Sequence, residues 1–314
     1  MTYNARLNAL LRASVTSNYH GNGPPTWIVS RDTPWERMSE TKEEAETQRD
    51  AEVRKLRWHE RYSNMPDAGR LAAVLENCRP LNRCFSGACP ICLRAVQRWY
   101  VDQRASVAGH IARQGEKLVA LSMVPDFGQA LPGALNRFDW ARFLCASGQA
   151  LQSAGVTNFY LGVDVSLDED EGDPSSRLFQ VHLWGLAGSR KGAWRDNLKV
   201  LCTAKNWVNK PVEDSPPRDC DAVVAYALKS KFNRREWFLD ESRPNRNPFL
   251  NTRNRPLNDP PWVELKCLLH RVGPEARILI GGVNRAVTVR KGDAAGRPAI
   301  NVPPHAVASK DLPW

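Results

Sequence analysis

The clearest pattern along the chain is alternation. In NFYLGVDVSL and LFQVHLWGLA apolar residues recur at every second position, and the acidic stretch DEDEGDPSS lies between them. The pair predicts two strands joined as a hairpin. KLVALSMV, NWVNKPVE and ARILIGGV read as three further strands. A helical period takes over in NRFDWARFLCASGQALQSAG, KGAWRDNLKVLCTA, DAVVAYALKSKF and WVELKCLLHRV. Strands interspersed with helices, including one clear hairpin, predict an α+β domain with a mainly antiparallel sheet.

The rest of the chain is organised around this part, which spans residues 117–290. Residues 1–66 read as a charged N-terminal helical extension. In it, TKEEAETQRDAEVRKLRWHER has good helix formers but few apolar residues, so a surface position is expected. Residues 67–116 carry a cysteine cluster between DAGRLAAVLENC and ICLRAVQRWYVDQRASVAGHIARQG. The first predicts a short amphipathic helix with Leu71, Val74 and Leu75 on one face and Asp67 as N-cap, the second one long helix. Residues 243–261, rich in Asn and Pro, read as a long loop, and residues 291–314 as a loosely ordered tail.

Composition adds a partner class. The 314 residues carry a formal charge of +10 and a pI near 9.4. Residues 190–314 hold 23 basic and 13 acidic residues, which is the whole excess. An excess confined to one half suggests a face that binds a polyanion; a merely solvated basic surface is the plainer alternative. No apolar run is long enough to span a membrane. The N-terminal apolar stretch is broken by Arg12 with no cleavage site after it, so a cytoplasmic location is expected.

Four of the eight cysteines, Cys78, Cys84, Cys89 and Cys92, are spaced C-x5-C-x4-C-x2-C. Four thiolates are the ligand set of a closed structural zinc site, and they leave no position open for catalysis. Two disulfides, buried thiols or an iron–sulfur cluster are the other readings. Cys145, Cys202, Cys220 and Cys267 lie in or at the ends of helices and read as small core residues.

Two further groups carry chemistry. With Leu167 opposite Arg177, the hairpin sets Asp164 across from Gln180 and Gly162 across from His182. Asp164, Gln180 and His182 then share a sheet face as three donors for a divalent cation, with positions open to phosphate oxygens. A histidine satisfied within an apolar strand is the bland alternative, and the register decides between them. Tyr226 and Lys229, three apart, share a helix face. Beyond them Lys231, Arg234 and Arg235 interleave with Phe232, Trp237 and Phe238, a pattern suited to single-stranded nucleic acid. Standing alone, Tyr226 reads as a half-buried residue of an amphipathic helix.

In order, these pieces resemble the rolling-circle replication initiators (Rep proteins) of the HUH endonuclease superfamily, the plasmid type with an N-terminal cysteine cluster. ENCRPLNRCFSGACPICLRAVQRW is similar to their zinc-binding segment, and LVALSMV to their first motif strand. GVDVSL is similar to the strand with an acidic metal ligand, FQVHLWGLA to the HUH motif, and AYALKSK to the YxxK motif. The resemblance covers roughly residues 67–285 and implies an α+β fold with a five-stranded antiparallel sheet flanked by helices, preceded by a small zinc-binding helical segment. It implies a metal-dependent, site-specific nickase and strand transferase in which Tyr226 attacks the scissile phosphate. A 5′-phosphotyrosine and a free 3′-hydroxyl would result. It also implies Mg²⁺ or Mn²⁺ on His182, Gln180 and Asp164, with Lys229 assisting. Single-stranded or origin DNA is the implied partner, and host replication proteins such as a helicase are further candidates. Gln180 departs from the family pattern, which has histidine there. A transposase of the same superfamily and a degenerate, non-catalytic zinc-containing DNA-binding protein are the alternatives.

Overall fold

Residues Phe159–Asp170 (β3) and Asp173–Ser189 (β4) form the hairpin at the middle of the molecule. The computed structural model describes residues 41–79, 83–171, 173–190, 192–203, 210–240 and 249–283. Asp164 pairs with His182 and Ser166 with Gln180, two residues away from the expected register. The stretch expected to be the acidic loop is mostly strand. Pairing runs out to Asp170 opposite Asp173, across an irregularity between Asp168 and Asp170. Because side chains alternate with period two, a two-residue slip changes every partner but keeps every side chain on its face.

Around this hairpin lies a curled mixed sheet. Lys117–Met123 (β1) runs antiparallel to β4, and Val212–Ser215 (β5) antiparallel to β1. Gln129–Ala130 (β2) adds a short pairing to β4 at Gln180 and Phe179. Asn233–Asp240 (β6) runs parallel to β3, and Phe249–Pro256 (β7) antiparallel to β6. Ile278–Gly281 (β8) is antiparallel to β3. The sheet therefore has eight described strands, where five antiparallel ones were expected. The additions are β2, β6 and β7; β7 falls in the expected Asn/Pro-rich loop. Of NWVNKPVE, residues 206–209 lie outside the described residues, and the strand begins only at Val212.

One sheet face is apolar. Val163, Val165, Leu167, Phe179, Val181 and Leu183 are all buried there. They share one core with Phe143 and Leu151 of helix α5 (Trp140–Ser153) and Leu265 and Leu268 of helix α8 (Pro261–Val272). The other face is apolar at one end only. There Tyr160 and Leu186 share a smaller cluster with helices α3 (Pro90–Asp102), α4 (Arg104–Arg113) and α7 (Cys220–Ala227). Tyr160 stacks on Tyr100 of α3 at 3.9 Å between ring centres. Helix α6 (Trp194–Lys199) completes the part after the hairpin.

Helices depart from expectation mainly at their ends. The long helix is divided at Gln103 into α3 and α4, and Arg104 just past the division pairs with Asp221 of α7. Helix α2 (Pro66–Glu76) takes Met65 as N-cap rather than Asp67, because Pro66 is already set for the first helical position. Helix α7 stops at Ala227, so Lys229 stands beyond it.

Helix α1 (Lys42–Tyr62) opens on a reciprocal capping box between Thr41 and Glu44. It is not the surface element its composition suggested. Ala45 and Leu56 are buried, and Glu52 forms a buried ion pair with Lys266 of α8 at 2.7 Å. His59 reaches Asp259 at 3.0 Å. No described helix is long and apolar enough to cross a membrane. Residues 1–40 of the expected extension and the tail 291–314 lie outside the described residues.

Candidate functional site

Beyond the end of α7 the second sheet face turns polar. A single glycine brings the helix close: a Cβ at Gly162 would sit 2.5 Å from the carbonyl oxygen of Ala227. The last turn of α7 therefore rests directly on β3. That contact sets Tyr226 and Lys229 over Asp164, and Trp184 on β4 packs edge-on against the Tyr226 ring at 6.0 Å.

The four side chains form one cluster. Lys229 Nζ lies 2.5 Å from Asp164 Oδ2 and donates to the Tyr226 hydroxyl at 3.1 Å. His182 Nε2 lies 3.4 Å from the same Asp164 oxygen, while Oδ1 accepts from the backbone N–H of Val165 at 2.9 Å. Tyr226 is half-buried. Burial alone would push the Asp164 carboxyl up, but Lys229 and His182 outweigh it and hold the group well below the usual carboxylate range. The same pairing raises Lys229 against the opposing effect of burial. At neutral pH the cluster holds a carboxylate and an ammonium that touches the phenol.

Arg277 is a member that sequence did not single out. It is fully buried, and burial pulls its guanidinium down to about 10. Its Nε donates to the Val163 carbonyl at 3.0 Å and its Nη1 to the Lys229 carbonyl at 2.9 Å. Val163 lies where the edge of β3 passes from β8, which pairs as far as Gly162, to β6, which begins at Leu167. Arg277 thus bridges a gap in the ladder and fixes the backbone of Lys229 at once. Its only sequence signal is an arginine opening an otherwise apolar strand.

Gln180 does not join the cluster. It is buried on the expected face, but its amide oxygen accepts from Gln129 Nε2 at 3.1 Å. Its own Nε2 faces the carbonyls of Pro125 and Val181 at 3.2 Å each. What reaches His182 is the Gln180 backbone oxygen, 3.3 Å from Nδ1. Further along the face Asp168 is buried, with Ser166 Oγ 3.4 Å from one carboxylate oxygen and no hydrogen bond to the other. Burial, resisted by Arg235, pushes this carboxyl up to about 6.

The three basic residues expected to touch DNA are divided. Lys231 is exposed. Arg234 is committed to Glu169, which Arg177 also holds at 2.6 Å, and Arg235 stands opposite Asp168 in the ladder.

The cysteines converge as their spacing predicts. Cys78 follows α2, Cys89 is the N-cap of α3 and Cys92 lies in its first turn, while Cys84 comes from the loop between. Cys78 Sγ and Cys84 Sγ lie 3.6 and 3.7 Å from Cys92 Sγ, and all four sulfurs fall within 4.8 Å of one another. A tetrahedron of sulfurs about 2.3 Å from a central zinc has edges of about 3.8 Å, so the group could hold a metal ion. None of the four is in a disulfide. Among the described residues no other group of three or more His, Cys, Asp or Glu ligands comes together this way. A Cβ at Gly87 would lie 2.5 Å from the carbonyl of Leu269, so the cysteine loop packs closely on α8. Of the remaining cysteines Cys202 is buried, but Cys145 is exposed, contrary to its reading as a core residue.

The two sites are joined helix to helix. Gln97 of α3, buried, donates to the Ala225 carbonyl of α7 at 2.6 Å. The helix whose first turn carries Cys89 and Cys92 therefore grips the one that carries Tyr226. In comparisons with known proteins, no family, no curated protein and no solved structure matches the chain.

Proposed function

We propose that the chain is a replication initiator of the HUH type that nicks single-stranded origin DNA through Tyr226. The observation that carries the proposal is the Lys229 ammonium, held by buried Asp164 and donating to a half-buried tyrosine hydroxyl. A phenol ionises near pH 10, so it needs a neighbouring cation to attack near neutrality. In the proposed step a bond forms between the Tyr226 oxygen and phosphorus while the bond from phosphorus to the 3′-oxygen breaks. The phenolic proton ends on the departing 3′-oxygen, which becomes the primer terminus. Lys229 and His182 stand where they can offset charge developing on the phosphate. The order of the motifs, the cysteine cluster and the basic C-terminal half support the same reading.

A Mg²⁺ or Mn²⁺ ion on Asp164, Gln180 and His182 does not fit the donors as arranged. The amide oxygen of Gln180 is turned to Gln129, and the Lys229 ammonium already neutralises Asp164. The cysteine cluster suits zinc in a structural role.

The test is covalent capture. The full chain is incubated with single-stranded oligonucleotides from its own replicon and run on denaturing gels, with Tyr226→Phe as control. An adduct lost in Tyr226→Phe is the expected result. Mg²⁺ and Mn²⁺ are omitted in a parallel arm, in preference to EDTA, which would also attack the cysteine site. An adduct without them means that Lys229 supplies the charge; one that needs them means that Asp164 exchanges Lys229 for an ion. DNA binding without an adduct leaves a zinc-containing binding module, the reading that the committed amide of Gln180 favours.

A further inference from the structure

A cavity of about 540 Å³ lies between β2 and α5, away from the tyrosine cluster. Its walls are the rings of Phe127, Phe138 and Phe143; Phe143 lies 5.8 Å between ring centres from each of the other two. Phe127 is 38% exposed, although it is a large apolar ring. Arg137 and Arg142 stand exposed at the rim, and neither guanidinium pairs with an acid among the described residues. Asp139, also at the rim, spends its carboxylate capping α5, where it accepts from the Arg142 N–H at 2.9 Å. Gln129 lines the cavity as well. One of its amide hydrogens goes to Gln180, which leaves the second hydrogen and the oxygen for a ligand.

We infer that this cavity binds one unstacked base of single-stranded DNA. The inference rests on the proposed function and adds a recognition subsite to it. Flat rings offer stacking to any base, and the two arginines suit the phosphates on either side. An amide with one donor and one acceptor to spare can pair with the adjacent donor and acceptor that an unstacked base presents, as on adenine. The volume falls in the range of small-ligand sites. Gln129 also ties the cavity to the cluster, because Gln180, which it holds, lies two residues before His182 on the same strand.

The test is photocrosslinking of the full chain to oligonucleotides that carry 8-azidoadenine at one position at a time. One position is expected to crosslink to peptides containing Phe127 or Phe138. Phe127→Ala should abolish that crosslink and weaken binding about tenfold, and Phe127→Trp should restore both. Arg137→Ala and Arg142→Ala should each lower the slope of log affinity against log salt by about one. Crosslinks confined to residues 231–240 overturn the subsite, and a Tyr226 adduct in the same reaction leaves the nickase standing. A crosslink in the cavity without an adduct supports the subsite and removes the nickase. Failure of every oligonucleotide to bind overturns both.

Discussion

At the scale of single residues, two buried carboxylates on one sheet face behave in opposite ways. Asp164 is held below the ordinary carboxylate range, so its contribution to stability is complete above the unfolded-state value. It is lost only as the pH falls through the lower folded-state value. Asp168 is raised from 3.8 to about 6 because it is buried with one oxygen unbonded. Its folded state therefore prefers the proton, and stability falls as the pH rises from about 4 through 6. Asp168→Asn is expected to stabilise the protein by about 2–3 kcal/mol at pH 7 and by little at pH 4, read from urea unfolding at the two values. Equal effects at both would show that Asp168 carries no buried charge. Asp164, His182, Tyr226 and Lys229 were legible in the sequence, because strand alternation survives a two-residue slip and a spacing of three survives the end of a helix. Arg277 was not. Its acceptors, Val163 and Lys229, are brought to it by the tertiary fold, and no local pattern announces them.

At the scale of elements, position depends on small contacts. A methyl group at Gly162 would collide with the backbone of Ala227, which cannot yield without moving α7. Gly162→Ala is expected to cost about 1–3 kcal/mol and to remove the proposed adduct; an unchanged melting temperature and unchanged adduct yield would contradict this account. The cysteine site should act on the same helix through Gln97 of α3. Cys89→Ser is expected to release a metal ion, measured by elemental analysis, and to slow amide exchange less in α3 and α7 than in the parent. A loss of protection confined to residues 78–92 would show that the grip of Gln97 on Ala225 transmits nothing. The cysteine spacing and the central hairpin could be read directly because ligand number and period are local properties. Strands β6 and β7 could not: NRREWFLD and FLNTRNRP are too polar to alternate. They exist because β6 finds the edge of β3 and Arg234 finds Glu169.

At the scale of the whole molecule, the α+β class was legible from the mix of periods, whereas the parallel pairing of β6 with β3 was not. Nothing in a strand's own sequence says which distant edge it will join. The surface position expected for α1 failed for a related reason. Its composition is polar, but one of its polar residues is Glu52, matched by a lysine more than two hundred positions away. The pair between them has side chains only 9% and 3% exposed. A buried pair adds little when whole and costs about 3–5 kcal/mol when halved. Glu52→Ala should accordingly lower stability by about that amount, because it leaves the Lys266 ammonium buried without its carboxylate. Adding Lys266→Met to Glu52→Ala should recover much of the loss, measured by urea unfolding. The helix that looks most dispensable by composition is therefore the one that keeps a cation of α8 neutralised inside the protein.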